Sequence, residues 1–189
     1  MYRLLWFALA FPAWCYPADI SLQAVRHGER FEVEAVADFE AEVPLAWEVL
    51  TDYDRLAEFI PGMQSSRIVS RSHDSVIVDQ SGDARLLFFS FPIQVRLEIQ
   101  EYPYRRIVSR AVDGNFKEMV GAYTLEAAGR RVLLRYSGSL TPAFSIPPLI
   151  GTILVRNTME KRFGAMVDEI VRRQRLRDFP ATAAPGSGS

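Results

Sequence analysis

Cysteine is almost absent from this sequence: Cys15 stands alone among 189 residues, and His27 and His73 are its two histidines. Positions so few and so far apart exclude a disulfide framework, the usual Cys/His zinc site and a Cys–His nucleophile pair. No metal site, cofactor site or set of catalytic residues is expected. Excess charge is also missing. The 22 Lys and Arg face 23 Asp and Glu, for a net charge of -1, which supplies no long-range attraction to phosphate and argues against a nucleic-acid partner. No Gly-Lys-Ser/Thr or Gly-x-Gly-x-x-Gly follows a strand, so there is no nucleotide cradle. Internal repeats and a second domain are absent too. With 49% hydrophobic and 24% charged residues, the chain is a globular one of single-domain length.

The N-terminus reads as an address. Residues 1–18 carry one charge, Arg3, then an apolar run from Leu4 to Phe11 and Pro12, the pattern of a secretory signal peptide. A cut is expected after Cys15 or after Ala18. The apolar run is short of the about 20 residues that span a bilayer, and an uncleaved membrane anchor is the alternative. Export, to a periplasm, is the expected location. Removal of the segment takes away the single cysteine, so stability must come from the core.

From Arg30 the chain alternates. Phe31, Val33, Ala35, Ala37 and Phe39 share one face, and Glu32, Glu34, Asp38 and Glu40 the other, predicting a strand wet on one side. Pro44 fits the first turn of a short helix with Leu45, Trp47, Val49 and Leu50 on its apolar face, and a second short turn ends at Pro61-Gly62. Six further strands are predicted at about 64–71, 75–81, 84–101, 105–112, 116–127 and 131–140. The longest places Leu87, Phe89, Phe91, Ile93, Val95, Leu97 and Ile99 on one side, with Pro92 marking a bend, bulge or sheet edge. After Pro142, Pro147-Pro148 and Gly151, a long helix carries Met159, Phe163, Met166, Val167 and Ile170 at helical spacing. Residues 19–29 read as a lead-in, 30–177 as the folded domain and 178–189 as a flexible tail. The whole is α+β: a curved antiparallel sheet wrapped around one long helix.

The stretch from Val43 through Leu50-Thr51-Asp52-Tyr53 to Phe59-Ile60-Pro61 resembles the polyketide cyclase/dehydrase and coenzyme Q-binding START-like family of the SRPBCC superfamily. A second similarity lies in Gly114-Asn115-Phe116-Lys117 and its continuation to Gly121 and Tyr123. The resemblance implies a helix-grip fold, with seven curved antiparallel strands gripping the C-terminal helix and short helices after the first strand. It also implies an apolar cavity and a hydrophobic ligand: a lipid, quinone or polyketide-like molecule.

Candidate ligand-binding residues are Trp47, Phe59, Phe89, Phe91, Val95, Met119, Tyr123, Tyr136, Met159, Phe163 and Met166. The aromatics and methionines would line a pocket or simply pack the core. Tyr123 and Tyr136 would orient a ligand oxygen or sit as satisfied core hydroxyls. Arg96, Arg110, Glu118 and Arg135 are assigned to the solvated sheet face. The segment 142–151, Pro142 to Gly151, offers Phe144, Ile146, Leu149 and Ile150 either to its own underside or to a membrane in transient contact or a ligand at the cavity mouth. Binding and transport of the ligand is the expected function, with a cyclase or dehydratase acting on an aromatic polyketide-like substrate as the alternative.

Overall fold

The computed structural model describes residues 18–179; the expected signal peptide lies almost wholly outside them, as does the tail beyond Phe179. Eight strands form one antiparallel sheet: β1 Asp19–His27, β2 Arg30–Glu40, β3 Met63–Arg71, β4 Val76–Leu86, β5 Phe89–Tyr102, β6 Arg106–Gly114, β7 Phe116–Ala128 and β8 Arg131–Pro142. Two short helices, α1 Val43–Leu50 and α2 Leu56–Phe59, precede β3, and the long helix α3 spans Pro148–Asp178. The strand order is β1-β2-β8-β7-β6-β5-β4-β3, so β2 and β8 meet by closing the meander back on its first hairpin.

The sheet has one strand more than the seven expected. Residues 19–29, read as a lead-in, make β1 and its turn, pairing with β2 along their full length from Asp19↔Asp38 to His27↔Arg30. The short helices therefore follow the second strand. The alternation of β1 is blurred in sequence because its outward row includes Val25 and its inward row Arg26, whereas β2 writes its pattern in Phe, Val and Ala against acids.

The break between β4 and β5 also falls elsewhere than expected. Ser81, Gly82 and Asp83 stay in the strand, and the turn is Leu87-Phe88, between the paired Leu86 and Phe89. Gly82 is needed for a close crossing: a Cβ there would lie 2.1 Å from the Gly62 carbonyl oxygen. Pro92 sits past the reach of β6, whose pairing with β5 begins only at Val95. There the Asn115 side chain takes over, donating from Nδ2 to the Pro92 carbonyl at 2.6 Å and accepting from the Gln94 N–H at 3.0 Å. A register shift follows between Arg96 and Leu97, and such bulges bend a sheet.

The core is densest where α1, β2, β8 and the C-terminal half of α3 meet. Phe39, Leu45, Val49, Val132, Leu134, Phe163, Val167 and Ile170 are all but fully buried there, and Phe31 is buried at the other end of β2 against Gly151. Helix α3 touches β1, β2, β4, α1 and α2, the grip that the sequence implied. It begins at Pro148, so Leu149, Ile150 and Gly151 are helical where an irregular stretch was expected. Pro148 suits a first turn, where its missing N–H has no partner to lose.

The Asp52 and Tyr53 region serves this architecture. Thr51 Oγ1 donates to the Trp47 carbonyl at 2.9 Å, Asp54 accepts from the Ile68 N–H at 2.7 Å, and Asp52 pairs with Arg173 at 3.1 Å. Arg172 and Arg173 both bond Glu169 at 2.7 Å, and Arg177 pairs with Glu48. The basic end of α3 is thus clamped to α1 and its following turn. Among the described residues no helix is long and apolar enough to cross a membrane.

Candidate functional site

The N-terminal half of α3 packs on β1 and β2, where a Cβ on Gly151 would lie 3.0 Å from the Phe31 ring, and stands off from β5 and β7. Between Leu154, Val155, Thr158, Met159 and Arg162 on the helix and the concave faces of β4, β5, β7 and β8 lies a cavity of about 80 Å³. Its walls are mostly carbon, with Gln80, Ser81, Thr158 and Arg162 as the polar side chains. Phe91, Ile93 and Val95 come from β5, Phe116 and Met119 from β7, Leu140 and Pro142 from β8, and Phe144 and Ile146 from the segment leading into α3. Strand parity explains the first set, since alternate residues face one side.

An unbroken file of rings leads from solvent to this cavity. Phe88 and Phe89 have centroids 4.6 Å apart, Phe89 and Phe91 6.4 Å, Phe91 and Phe144 5.7 Å, and Phe144 and Phe116 6.4 Å. Its outer end is bare: Leu87 is 85% exposed and Phe88 86%. Leu87 also has φ of 54°, the left-handed region in which a branched apolar residue is uncommon. Two-residue hairpin turns ordinarily use Asn and Gly.

Beneath the cavity, β7 and β8 present inward pairs in register: Met119↔Leu140, Gly121↔Gly138, Tyr123↔Tyr136 and Leu125↔Leu134. The glycine pair leaves a dent, and the Tyr136 ring leans into it. Tyr123 packs 4.9 Å from Tyr136 and stacks on Phe163 at 6.5 Å. Among the described residues neither hydroxyl has a hydrogen-bond partner. Burial pushes the Tyr136 phenol up to about 12 and raises Tyr123 further, so both are neutral at any physiological pH.

Arg162 is the single charged residue among the described residues of the cavity wall. Its Nε donates to the Pro61 carbonyl at 3.4 Å, and its Nη2 to the carbonyls of Gly62 at 3.3 Å and Asp83 at 3.2 Å. Burial lowers its pKa, opposed by the negative charge of Asp83.

Of the residues expected to bind ligand, Phe91, Val95, Met119 and Met159 stand on the cavity wall. Phe89 stands at its mouth, in the ring file. Tyr123, Tyr136, Phe163 and Met166 lie off the wall, in the packed layer below. Trp47 and Phe59 are remote: Trp47 lies against Tyr104 at 5.8 Å, and Phe59 beneath the Arg173 guanidinium at 5.9 Å. They belong to α1 and α2, which cover the filled end of the grip. Arg96, Arg110 and Arg135 are exposed and paired with Asp79, Glu98 and Glu126, and Glu118 is exposed. Sequence reasoning missed Arg162, although it follows Met159 by three residues on the same helix face. It also missed Phe116, which stands in the second motif.

Comparison with known proteins agrees with this architecture. Residues 39–173 match the sequence model of the family described as polyketide cyclase/dehydrase and lipid transport. No curated protein matches the chain by sequence. Among solved structures, the Zhui aromatase/cyclase of a Streptomyces species is similar with a TM-score of 0.66 at 17% identity, covering 82% of this chain and 99% of that one. A STAR-related lipid transfer protein from Xanthomonas axonopodis reaches 0.63 at 15% identity, over 87% of this chain and 98% of that one. A START superfamily protein from Mycobacterium smegmatis reaches 0.63 at 13%, over 75% and 98%.

Proposed function

The chain belongs to the polyketide cyclase/dehydrase and lipid transport family, and on that premise we propose that it binds, shields and carries a hydrophobic molecule in the cavity between sheet and α3. The cargo is a lipid, a quinone or a polyketide-like compound. The observation that carries this reading is the ring file from Phe88 to Phe116, an apolar route that joins an exposed hairpin tip to an apolar hollow. Moving apolar matter from water into such a hollow is worth about 0.8 kcal/mol per methylene. A ligand drawn from a bilayer gains far less, having already left water, so loading and release both stay easy.

The tip is the contact through which the carrier meets a membrane. Leu87 and Phe88 are bare, Leu149 at the start of α3 is 91% exposed, and Phe144 in the 142–147 segment joins the file. Exposed apolar groups of this kind mark interaction sites. Export, supported by the pattern of residues 1–18, would put the carrier outside the cytoplasm. Cleavage is tested by the N-terminus of the protein recovered from its host, Tyr16 or Asp19.

A second reading, cyclase or dehydratase chemistry on an aromatic polyketide-like substrate, is favoured by one observation: Tyr123, Tyr136 and Arg162 are polar groups beside a largely apolar space. Gentle purification from the native host, followed by native mass spectrometry and lipid extraction, tests the carrier. An apolar molecule that co-purifies in stoichiometric amount is the expected result. Repeated recovery of empty protein that also fails to take up an apolar dye would overturn it.

A further inference from the structure

Arg162 holds three backbone carbonyls, yet its charge has no direct counter-ion. Among the described residues it forms no ion pair, and its Nη1, with two N–H groups, has no hydrogen-bond partner. Asp83 is the carboxylate whose field reaches it, but that carboxylate is bound by Arg85 and by the Ser90 hydroxyl at 3.4 Å. The guanidinium is part-buried and held by carbonyl dipoles alone, so its charge is open to pairing by an anion that enters the cavity. The cation also acts on its surroundings: its positive charge lowers the pKa of the Tyr123 phenol, against the larger effect of burial. The Tyr123 and Tyr136 hydroxyls add two donors without partners among the described residues. The Tyr136 oxygen lies over the Gly121–Gly138 pair, one step along the strands from the wall residues Met119 and Leu140.

We propose that the ligand is a carboxylate-bearing amphiphile, its acid head at Arg162 and its apolar body along Phe91, Phe116, Met119 and Phe144 toward the mouth. This rests on the carrier reading and names the chemical class of its cargo. A carboxylate supplies the missing counter-charge to a group whose planar fork suits it. The largely apolar walls lower the local dielectric and strengthen that bond. A hydrocarbon or long-chain alcohol of the same length fills the same hollow and leaves the cation as it was.

Isothermal titration calorimetry on the folded full chain decides this, with decanoate, 1-decanol and decylamine compared at pH 8 and below micelle formation. The expected result is decanoate bound about tenfold or more tightly than decanol, with decylamine weakest. In Arg162→Met, the acid's advantage should shrink towards none while decanol affinity is kept. Should that variant fail to fold, Arg162→Lys and the wild-type series decide, the lysine retaining charge but losing the fork. Equal binding of acid and alcohol by the wild type would overturn the assignment of the head while leaving the carrier standing. An undiminished preference in folded Arg162→Met would do the same. Failure of all three probes to bind would remove both.

Discussion

The Tyr136 hydroxyl lies over the backbone of Gly138, 2.5 Å from where a Cβ on that glycine would stand, and 2.9 Å from the corresponding point on Gly121. The two glycines face each other across β7 and β8, so the floor of the cavity is set by one ring lying in one dent. Gly138→Ala should push that ring aside and destabilise the fold by about 1–3 kcal/mol, the usual range for overpacking. Tyr136→Ala should relieve the clash with the ring, leaving the close approach to the Val120 carbonyl at 2.9 Å, so that the double variant is more stable than the sum of the single ones. Urea denaturation of the four proteins measures the coupling. Additive losses would mean that the ring and the glycine do not meet.

Filling the hollow should block binding without breaking the fold. Met159 stands on the wall from α3, and Met159→Trp puts a bulky ring where the ligand body would lie. Affinity for an apolar fluorescent dye should fall about tenfold or more, while the far-UV circular dichroism spectrum stays the same. Unchanged dye binding by a folded variant would place the ligand elsewhere.

The hairpin tip offers a separation of stability from membrane contact. Leu87 and Phe88 are exposed and Leu87 has positive φ, so replacing both with Ser should change stability by no more than about 0.5 kcal/mol. Leu87→Gly alone should be neutral or stabilising, since glycine accepts that backbone region. Co-sedimentation of Leu87→Ser/Phe88→Ser with lipid vesicles should nonetheless drop several-fold against the wild type. Equal sedimentation would remove the tip from the loading route.

Acid should loosen the C-terminal half of α3 first. The hydrogen bond from Arg172, with that from Arg173, holds the Glu169 carboxyl down to about 2 against the opposing effect of burial. A depressed folded value stabilises the protein above the unfolded pKa, and that contribution is lost as pH falls from about 4.5 through about 2. It is worth on the order of 2 kcal/mol, allowing for the exposed Arg172 partner. Glu169→Gln should remove most of this slope from the acid limb of the thermal stability curve. A limb of unchanged steepness would assign acid unfolding to other carboxylates.

The elements themselves were legible wherever polarity alternates cleanly. Phe31 to Phe39 against their acidic neighbours, and Phe89 to Ile99 against theirs, give both strand and facing from period two alone. Glycine misled where it was read as a turn: Gly82 is in mid-strand because a distant backbone at Gly62 passes too close for a Cβ. The true turn, Leu87-Phe88, has none of the usual turn chemistry and was absorbed into the apolar row of the following strand. Trp47 and Phe59 were plausible wall residues by type, but α1 and α2 cover the filled end of the grip.

Alternation, helical spacing and the two motifs were enough to determine an α+β grip with an apolar interior, because each is a local property that fixes which way neighbouring side chains point. Where that interior fills and where it stays open was decided only in three dimensions. The filled end depends on Phe39, Val49, Phe163 and Ile170 meeting from four different elements. The open end depends on α3 standing off from β5 and β7. Volume left over between surfaces far apart in the chain has no periodicity to read. The same holds for Arg162, an ordinary helical arginine in the sequence, whose seat among the carbonyls of Pro61, Gly62 and Asp83 arises from segments about 80 to 100 residues away.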